Sequence, residues 1–375
     1  MLSFILSDEL KNKVKETNNQ CIELYANLKD IAEDEIIAIK KYARISTIGA
    51  STRIENAILT NHEIDWIDTV LTIDGKTTAF DQHKKMIENK FSKDRERSIE
   101  EVAGCRGMLL RIYQDHQLFF PLRESDIRGL HTELMSPYLK RSPYVGNYKT
   151  QSNSVVETNQ ITGEIREVFK TADAGVITKS AMHDLVRWYN EAIHNEAWVI
   201  PVICEFVYRF LAIHPFQDGN GRLGRGLFLL GMLQSNDIAL ASIAPLISID
   251  RQIEKNKEEY YFVLNSCSQG QYSDDPSSYK IEYFLRFMLK MISRSISDVE
   301  IYRKKYAAVN SLSESAYQVL ACFKEHPEIR LTTKKIIEYT ELPRRTVTYS
   351  LGQLAEYSLI QKYGQGAGVR YQLSF

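Results

Sequence analysis

His214-Pro-Phe-Gln-Asp218-Gly-Asn220-Gly-Arg222-Leu-Gly-Arg225 joins two apolar segments through a short glycine-rich turn, and the rest of the chain is organised around it. The segment from Pro201 to Ile213 has the length and composition of a buried helix, and the segment from Leu227 to Leu233 is typical of a second helix. Pro215 disfavours the α conformation for the residue before it, so the first helix is predicted to end at His214. The stretch therefore predicts helix, tight turn, helix.

The residue types in this turn suit a polyphosphate ligand. Gly219 and Gly221 supply conformational freedom for a loop whose successive N–H groups can form an anion site, helped by the dipole of the second helix. Arg222 and Arg225 are three residues apart and so share one helix face, where their guanidinium groups fit phosphate oxygens. No Lys-Ser or Lys-Thr pair follows the glycines, which excludes a Walker A loop at this point.

An acid and a base lie in the same turn. Asp218 is a hard oxygen ligand, suited to Mg²⁺ that is bound jointly with substrate phosphates. His214 has an ordinary pKa near neutrality and can take a proton from an attacking hydroxyl. A glycine-rich linker with incidental charges would explain a lone histidine or a lone arginine pair, but it does not explain all these groups together.

The run HPFQDGNGRLGR resembles the signature of Fic-domain proteins at every defining position. The resemblance implies a mainly α fold, with a Fic-type helical core and a β-hairpin flap. It also implies transfer of AMP from ATP to a hydroxyl side chain (Ser, Thr or Tyr) of a target protein, which includes the chain itself as a candidate. The residues that it implies for this reaction are His214 as general base, Phe216 as loop anchor, Asp218 for Mg²⁺, Asn220 at the α-phosphate, and Gly219, Gly221, Arg222 and Arg225 for ATP.

A second motif precedes this core, at Ser51-Thr-Arg-Ile-Glu55-Asn56. By itself it predicts a helix start, with Ser51 as the cap and Glu55 in the first turns. It also resembles the inhibitory motif of the Fic family, which is Ser or Thr, three residues, Glu, and then Gly or Asn. In one class of the family this motif lies on a helix before the catalytic domain. The resemblance implies that Glu55 pairs with Arg225 where the ATP γ-phosphate would lie.

A β-hairpin is predicted within residues 148–171. Val155-Val156 and the run from Ile165 to Phe169 flank the turn-forming stretch Thr158-Asn-Gln-Ile-Thr-Gly163. A plain structural hairpin would have the same pattern. The resemblance implies a flap that aligns a segment of the target protein beside the site by strand addition.

Two adjacent tyrosines follow a charged helix after the core motif. The segment from Ile249 to Tyr261 resembles the family's segment near the adenine pocket. Tyr260 or Tyr261 could stack on adenine, and half-buried packing would explain them equally well.

The C-terminal residues form a separable unit. Helices are predicted at 316–323, 332–339 and 342–354, followed by strands at 360–363 and 369–373. This order resembles a winged helix-turn-helix, which Fic proteins of this class often append. Four side chains would face a DNA groove, namely Arg344, Arg345, Thr346 and Thr348. The unit is only slightly basic, which favours protein docking or homodimerisation over DNA binding.

The resulting organisation is an N-terminal helical region with the inhibitory motif (1–95), a Fic catalytic domain (96–300) and a winged helix-turn-helix domain (308–375). The chain has 375 residues and a net charge of −1, so charge gives no indication of nucleic-acid binding. Five scattered cysteines without a CxxC pair argue against a disulfide framework or a zinc site and suit the cytoplasm. The N-terminus is too short and acidic for a signal peptide, and no apolar stretch has the length of a membrane span.

Two functions of different classes remain open. One is an autoinhibited protein adenylyltransferase, and the other is a transcriptional regulator that uses the winged helix, with the Fic core as a nucleotide sensor. The intact His214 favours the enzyme, because a pure sensor needs no base. Within the enzyme class, Glu55 could instead align a water and permit removal of AMP from modified protein. The sequence does not determine the target protein.

Overall fold

The structure is a computed structural model that describes residues 1–73, 75–138, 144–158 and 165–374. Its helices are α1 (Asp8–Asn27), α2 (Glu33–Ile54), α3 (Asn61–Val70), α4 (Phe80–Lys90), α5 (Glu96–Asp115), α6 (Glu124–Met135), α7 (Val176–Asn195), α8 (Val199–Ile213), α9 (Asn220–Leu233), α10 (Ile238–Ile243), α11 (Ile249–Lys255), α12 (Lys257–Ser266), α13 (Ile281–Asn310), α14 (Glu314–Glu325), α15 (Thr333–Thr340) and α16 (Arg344–Glu356). The strands are β1 (Thr72–Ile73), β2 (Lys76–Thr77), β3 (Ser154–Thr158), β4 (Ile165–Lys170), β5 (Ile360–Tyr363) and β6 (Arg370–Leu373). The strands form three antiparallel pairs, β1–β2, β3–β4 and β5–β6. The predicted mainly α fold is confirmed.

Helix α8 lies at the centre of the core. Its residues are apolar almost without interruption, and they are buried on nearly every side by α7, α9 and α13. A helix that is apolar all round is stable in water only when other elements enclose it. The enclosure fixes the C-terminal end of α8, where the chain turns into α9, and so it fixes the position of His214.

The N-terminal region packs against this core through α2. This region was expected to be helical, and it begins with α1 and α2, which a 3-10 turn at Leu28–Asp30 separates. Helix α2 then continues to Ile54 and packs on α5, α11 and α13.

The prediction that Ser51 begins a helix is wrong, because Ser51 lies in the last turn of α2. That helix ends where Asn56 adopts a left-handed φ of 73°, a conformation that asparagine tolerates better than most residues. The actual start signal follows at Thr60 and Glu63, whose side chains form the capping box of α3. A serine followed by a glutamate is compatible with either end of a helix, and long-range packing decided which.

The hairpin predicted before α7 is present. Strands β3 and β4 pair in antiparallel register, with Ser154 opposite Lys170, and the register shifts between Val155 and Val156. The turn was predicted at Thr158–Gly163, and all of it after Thr158 lies outside the described residues. A register shift of this kind bends the hairpin and strengthens its twist.

The C-terminal elements match the prediction closely, with three helices followed by the β5–β6 pair. They have their own apolar core, which includes Val319, Phe323, Ile336, Val347 and Leu351. The assignment to the winged-helix class stays a prediction.

Residues 300–308, where the two domains were expected to meet, lie within the single helix α13, and the division into domains stays a prediction. Tyr302 of this helix is fully buried and packs against Tyr42 of α2. Two turns later, Val309 packs on the C-terminal core. The helix therefore belongs to both units.

Among the described residues, no helix has the combination of length and apolar composition that a membrane span requires.

The close approach of α5 and α6 generates a stability prediction. A methyl group at Gly104 would overlap the main-chain carbonyl of Leu134, whereas a methyl group at Gly107 would meet Glu133 at 3.7 Å, an ordinary contact. We expect Gly104→Ala to lower the free energy of unfolding by about 2–3 kcal/mol through overpacking. Gly107→Ala, the control in the same helix, should raise it by up to about 1 kcal/mol. Urea unfolding measures both, and equal effects would contradict the close approach.

Candidate functional site

The turn between α8 and α9 begins with a left-handed residue. Helix α8 ends at Ile213, as predicted, and His214 adopts φ 52° and ψ 59° while its N–H donates to the Phe210 carbonyl at 2.9 Å. This conformation costs roughly 1–2 kcal/mol for a residue other than glycine. It persists because the surrounding structure holds the chain on both sides of His214.

The His214 imidazole is poised as a neutral base. Its Nδ1 lies 3.3 Å from the Leu211 carbonyl. A carbonyl oxygen can only accept, so Nδ1 carries the hydrogen and the lone pair is on Nε2. Burial and then the Lys149 charge lower the pKa of His214 to about 4, against the opposite effects of the Leu211 carbonyl and Glu55. The ring is therefore neutral at pH 7, which a general base requires.

Asn220 holds the turn closed. Its side-chain Oδ1 accepts the Phe216 N–H at 2.9 Å, and its Nδ2 donates to the Phe216 carbonyl at 2.8 Å. Both ends of its amide are thus used by the loop. The role at the α-phosphate that the family resemblance implies for Asn220 stays a prediction. Phe216 is fully buried, as expected of an anchor.

A second histidine braces the same loop. The His131 ring stacks on Phe216, with the centroids 3.9 Å apart. Its Nδ1 accepts the Gly146 N–H at 3.0 Å, so its Nε2 carries a hydrogen and donates to the Asp218 carbonyl at 3.0 Å. Burial and then the Arg222 charge lower the pKa of His131 to about 3. His131 is therefore a neutral packing residue with both nitrogens occupied.

Asp218 and Gly219 open the anion site at the start of α9. Gly219 has φ 81°, and a methyl group there would meet Met135 Sδ at 3.0 Å, so a glycine is needed on both counts. Its N–H donates to Asp218 Oδ1 at 2.6 Å. The Asp218 side chain is 37% exposed. Among the described residues, no group of three or more His, Cys, Asp or Glu could hold a metal unaided. One accessible carboxylate fits a Mg²⁺ ion that phosphate oxygens help to bind.

Arg222 is buried and has an unused donor. Its Nη1 donates to the Tyr138 hydroxyl at 2.6 Å, and its Nη2 lies 3.5 Å from Asp218 Oδ1. Its Nε is buried and has no hydrogen-bond partner within the described parts of the chain. An unpaired buried donor is costly, and a phosphate oxygen would satisfy it.

Arg225 is the most heavily paired cation of the site. Its Nε donates to Ser51 Oγ at 3.0 Å and lies 3.1 Å from Asp250 Oδ1. Its Nη2 donates to the Ser51 carbonyl at 2.8 Å and to Glu55 Oε1 at 3.0 Å. The pairing of Glu55 with Arg225 that the sequence predicted is therefore present. These carboxylates outweigh the effect of burial, so the pKa of Arg225 lies above its ordinary range.

The Glu55 carboxylate lies at the amino end of α9. A methyl group built on Gly221 would meet Glu55 Oε1 at 2.5 Å, so the carboxylate lies against the first turn of that helix. The N-terminus of a helix attracts anions through its unpaired N–H groups and its dipole. Burial raises the pKa of Glu55, but Arg225 and Arg222 outweigh burial and bring it below its ordinary value. Asn56, next in the motif, accepts a hydrogen bond from Lys257 Nζ at 3.1 Å.

Tyr260 and Tyr261 differ in how far their rings are exposed to solvent. The Tyr260 ring is 2% exposed and packs against Phe284 and Phe287. Half-buried packing was the alternative for this residue, and the enclosure by other aromatic rings favours packing; stacking on adenine stays a prediction. Tyr261 is 38% exposed, and Glu55 and Arg225 are near enough to affect its pKa. Tyr261 is thus the tyrosine that remains open to a ligand.

Three residues of the site had no usable signal in the sequence. His131, Lys149 and Asp250 are separated from the motif along the chain. Lys149 lies in the predicted hairpin region and Asp250 in the segment before the two tyrosines, but neither pattern singles out these side chains. Each acts on the motif by a hydrogen bond or ion pair that only the folded chain creates. A lone buried histidine, lysine or aspartate has the same appearance in the sequence as one on the surface.

Comparisons with known proteins agree with this geometry. Residues 121–231, which include α8, the turn and most of α9, match the model of the Fic/DOC family. The fold resembles a Fic family protein from Desulfovibrio desulfuricans G20, with 19% identity, a TM-score of 0.56 and coverage of 100% of this chain and 98% of that one. It also resembles a Fic domain containing signaling protein from Bacteroides thetaiotaomicron VPI-5482, with 22% identity, a TM-score of 0.56 and coverage of 77% and 97%. Fic-1 from C. elegans gives 16% identity, a TM-score of 0.54 and coverage of 78% and 73%. At these identities, the likeness concerns the fold.

The Glu55 ion pair predicts a pH dependence of stability. Because the pKa of Glu55 is below its ordinary value of 4.5, the carboxylate stabilises the fold above pH 4.5, and this stabilisation is lost as the pH falls through the lower folded-state pKa. We expect Glu55→Gln to lower the free energy of unfolding at pH 7 by on the order of 1 kcal/mol, a modest effect because the carboxylate is 32% exposed. The difference from the parent should shrink as the pH is lowered below 4.5. Urea unfolding across this range is the measurement, and a difference independent of pH would contradict the assignment.

Proposed function

Because residues 121–231 form a domain of the Fic/DOC family, we propose that this chain is an autoinhibited protein adenylyltransferase that transfers AMP from ATP to a hydroxyl side chain of a target protein. The observation that carries the proposal is the position of one carboxylate. Glu55 is paired with Arg225 at the amino end of α9, and it lies near enough to the neutral base His214 to affect its pKa.

 In the proposed function, this carboxylate lies where the outer phosphates of ATP would bind.

Three sets of hydrogen-bond donors and one carboxylate support a bound triphosphate. The first N–H groups of α9 are free of helical partners, as at any helix start, and they point toward the site. Arg222 offers its unpaired Nε, and Arg225 offers the Nη2 that Glu55 now occupies. Asp218 would hold Mg²⁺ together with the phosphates, and the ion would supply further neutralisation of their charge.

The reaction follows from the position of the base. A hydroxyl oxygen of the target attacks the α-phosphorus in line with the bond to the β-phosphate. The new O–P bond forms, the bond between the α-phosphorus and the bridging oxygen breaks, and pyrophosphate leaves with the electron pair. His214 Nε2 takes the hydroxyl proton. The protein contributes chiefly position and fixed charge.

The β3–β4 hairpin is the proposed docking edge for the target. Its outer strand edge can pair with an extended segment, because main-chain hydrogen bonds require no particular sequence. Residues at the base of the hairpin contact the His214 turn directly, since Asn153 Nδ2 donates to the Phe216 carbonyl at 3.0 Å. A segment added to this edge would therefore be aligned with the base.

Autoinhibition follows from electrostatics. The Glu55 carboxylate occupies one donor of Arg225 and repels an approaching γ-phosphate, since like charges at close range are strongly unfavourable away from bulk water. ATP would then bind weakly or in a pose that does not align its α-phosphorus. Displacement of the end of α2 would release Arg225.

Three of the four side chains that were predicted to face a DNA groove are exposed in the C-terminal unit. Arg344, Arg345 and Thr348 lie on an exposed face at the start of α16, while Thr346 is half-buried. Three exposed groups would suffice for a weak DNA contact or for docking to a protein, and the transferase proposal depends on neither.

Transfer of label from ATP tests the proposal. With α-labelled ATP, Mg²⁺ and a protein lysate as acceptor, Glu55→Gly should raise incorporation at least about tenfold, which corresponds to about 1.4 kcal/mol of relieved inhibition. His214→Ala in the Glu55→Gly background should lower it by about 10²–10⁴-fold, the usual contribution of a general base.

Two matched controls accompany this experiment. Glu341→Gly changes a glutamate that already has a left-handed φ of 56°, and His183→Ala changes a histidine that is 70% exposed; neither should alter incorporation. Equal incorporation by the parent, Glu55→Gly and the His214→Ala double variant would refute the proposal. Binding of ATP without transfer would favour a nucleotide sensor, and loss of label from modified protein would favour AMP removal.

A further inference from the structure

Lys149 is a buried cation that contacts both sides of His214. Its side chain is enclosed, with 2% of the residue exposed. Its Nζ donates to the Ile213 carbonyl at 3.1 Å, and its main-chain N–H donates to the Pro215 carbonyl at 2.8 Å. The residues immediately before and after His214 are therefore attached to one lysine. These bonds help to hold the left-handed conformation of His214.

The same ammonium group reaches the base of the β3–β4 hairpin. Its Nζ donates to Asn153 Oδ1 at 2.9 Å and to Thr171 Oγ1 at 2.8 Å. Asn153 directly precedes β3, and Thr171 directly follows β4. All three hydrogens of the ammonium group are thus used, two on the hairpin and one on the turn. A movement of the hairpin would be transmitted to His214 through this group.

Lys149 also acts on His214 through its charge. The charged side chains that affect the His214 imidazole are Lys149, from the segment before β3, and Glu55, from the end of α2. Lys149 disfavours the imidazolium and Glu55 favours it. Burial lowers the pKa of Lys149 to about 8, against the effect of Asp173, so the lysine is mostly charged at pH 7.

We propose that Lys149 is a positioning residue that couples the hairpin to the base, so that a target segment on the hairpin meets a correctly placed and neutral His214. This inference rests on the proposed transferase function. The hydrogen bonds of Lys149 go to Ile213, Pro215, Asn153 and Thr171, and none of the described ones goes to Arg222 or Arg225. Lys149 therefore acts on the proton-accepting side of the site.

The direct test measures the protonation of His214 and needs no enzymatic activity. Full-length protein labelled with ¹³C and ¹⁵N in histidine is titrated by NMR, and the His214→Ala variant identifies the resonance. We expect the pKa of His214 to rise by roughly half a pKa unit or more in Lys149→Gln and Lys149→Met, because a nearby positive charge is removed. Lys149→Gln retains two N–H donors, so it keeps the test usable if Lys149→Met does not fold. Thr171→Val removes one partner of Nζ but keeps the charge, and it should leave the pKa of His214 unchanged.

The second measurement is transfer in the Glu55→Gly background. Both neutral Lys149 variants should lower the maximal rate of incorporation by about tenfold or more, while the dissociation constant for Mg²⁺-ATP stays within about twofold of the parent. When the maximal rate is plotted against pH, the fall of the rate at acidic pH should move to higher pH together with the pKa of His214. If Lys149 only stabilised the fold, its loss would lower the rate without moving this part of the pH profile.

The outcomes separate the two proposals. If folded Lys149 variants show an unchanged pKa of His214, the coupling is refuted, whatever their activity. If the pKa of His214 rises but the maximal rate of a transferring Glu55→Gly protein does not fall, the positioning role is refuted. If the pKa rises and no Glu55→Gly protein transfers AMP, the transferase proposal fails, while the link between Lys149 and His214 stands.

Discussion

The buried guanidinium group of Arg225 is the constraint on which the arrangement of the site depends. A cation removed from water costs several kcal/mol unless hydrogen bonds and opposite charges compensate it. Compensation comes from Ser51 and Glu55 at the end of α2 and from Asp250 at the start of α11. The N-terminal region and the α8–α9 core are therefore held together at the point where an anion would bind. In the proposed function, the group that stabilises the resting fold is also the group that blocks the site.

The two histidines of the site show how environment assigns roles to identical side chains. Burial keeps both neutral at pH 7. His131 uses one nitrogen as an acceptor and the other as a donor, so it can only hold the loop in place. Among the residues that the structure describes, His214 has a hydrogen-bond partner at Nδ1 alone, which leaves the Nε2 lone pair for chemistry. The two histidines therefore differ in the hydrogen bonding of Nε2 and not in their protonation state: Nε2 of His131 is used by the loop, and Nε2 of His214 can act as a base.

Much of the fold and part of the site could be predicted from the sequence, because the relevant signals are local. A proline after His214 ended α8, and glycines at the required positions opened α9. In the C-terminal unit, apolar periodicity and turn residues located every helix and strand to within about two residues. The pairing of Glu55 with Arg225 was predictable only through the resemblance of both motifs to one family. Their separation of 170 positions carries no information by itself.

The chemistry available at the turn could be read from the chain without a structure: a base, an acid, two guanidinium groups and the glycines between them. Which residues surround that turn, and whether they are buried or paired, depended on the packing of distant segments. This packing placed Ser51 at the end of a helix and not at its start, enclosed Tyr260 among other rings, and ran α13 through an expected boundary. It also brought Lys149 and Asp250 to the motif. The physical reason is that burial and hydrogen bonding between distant segments have no local pattern, because they arise only when helices pack against one another.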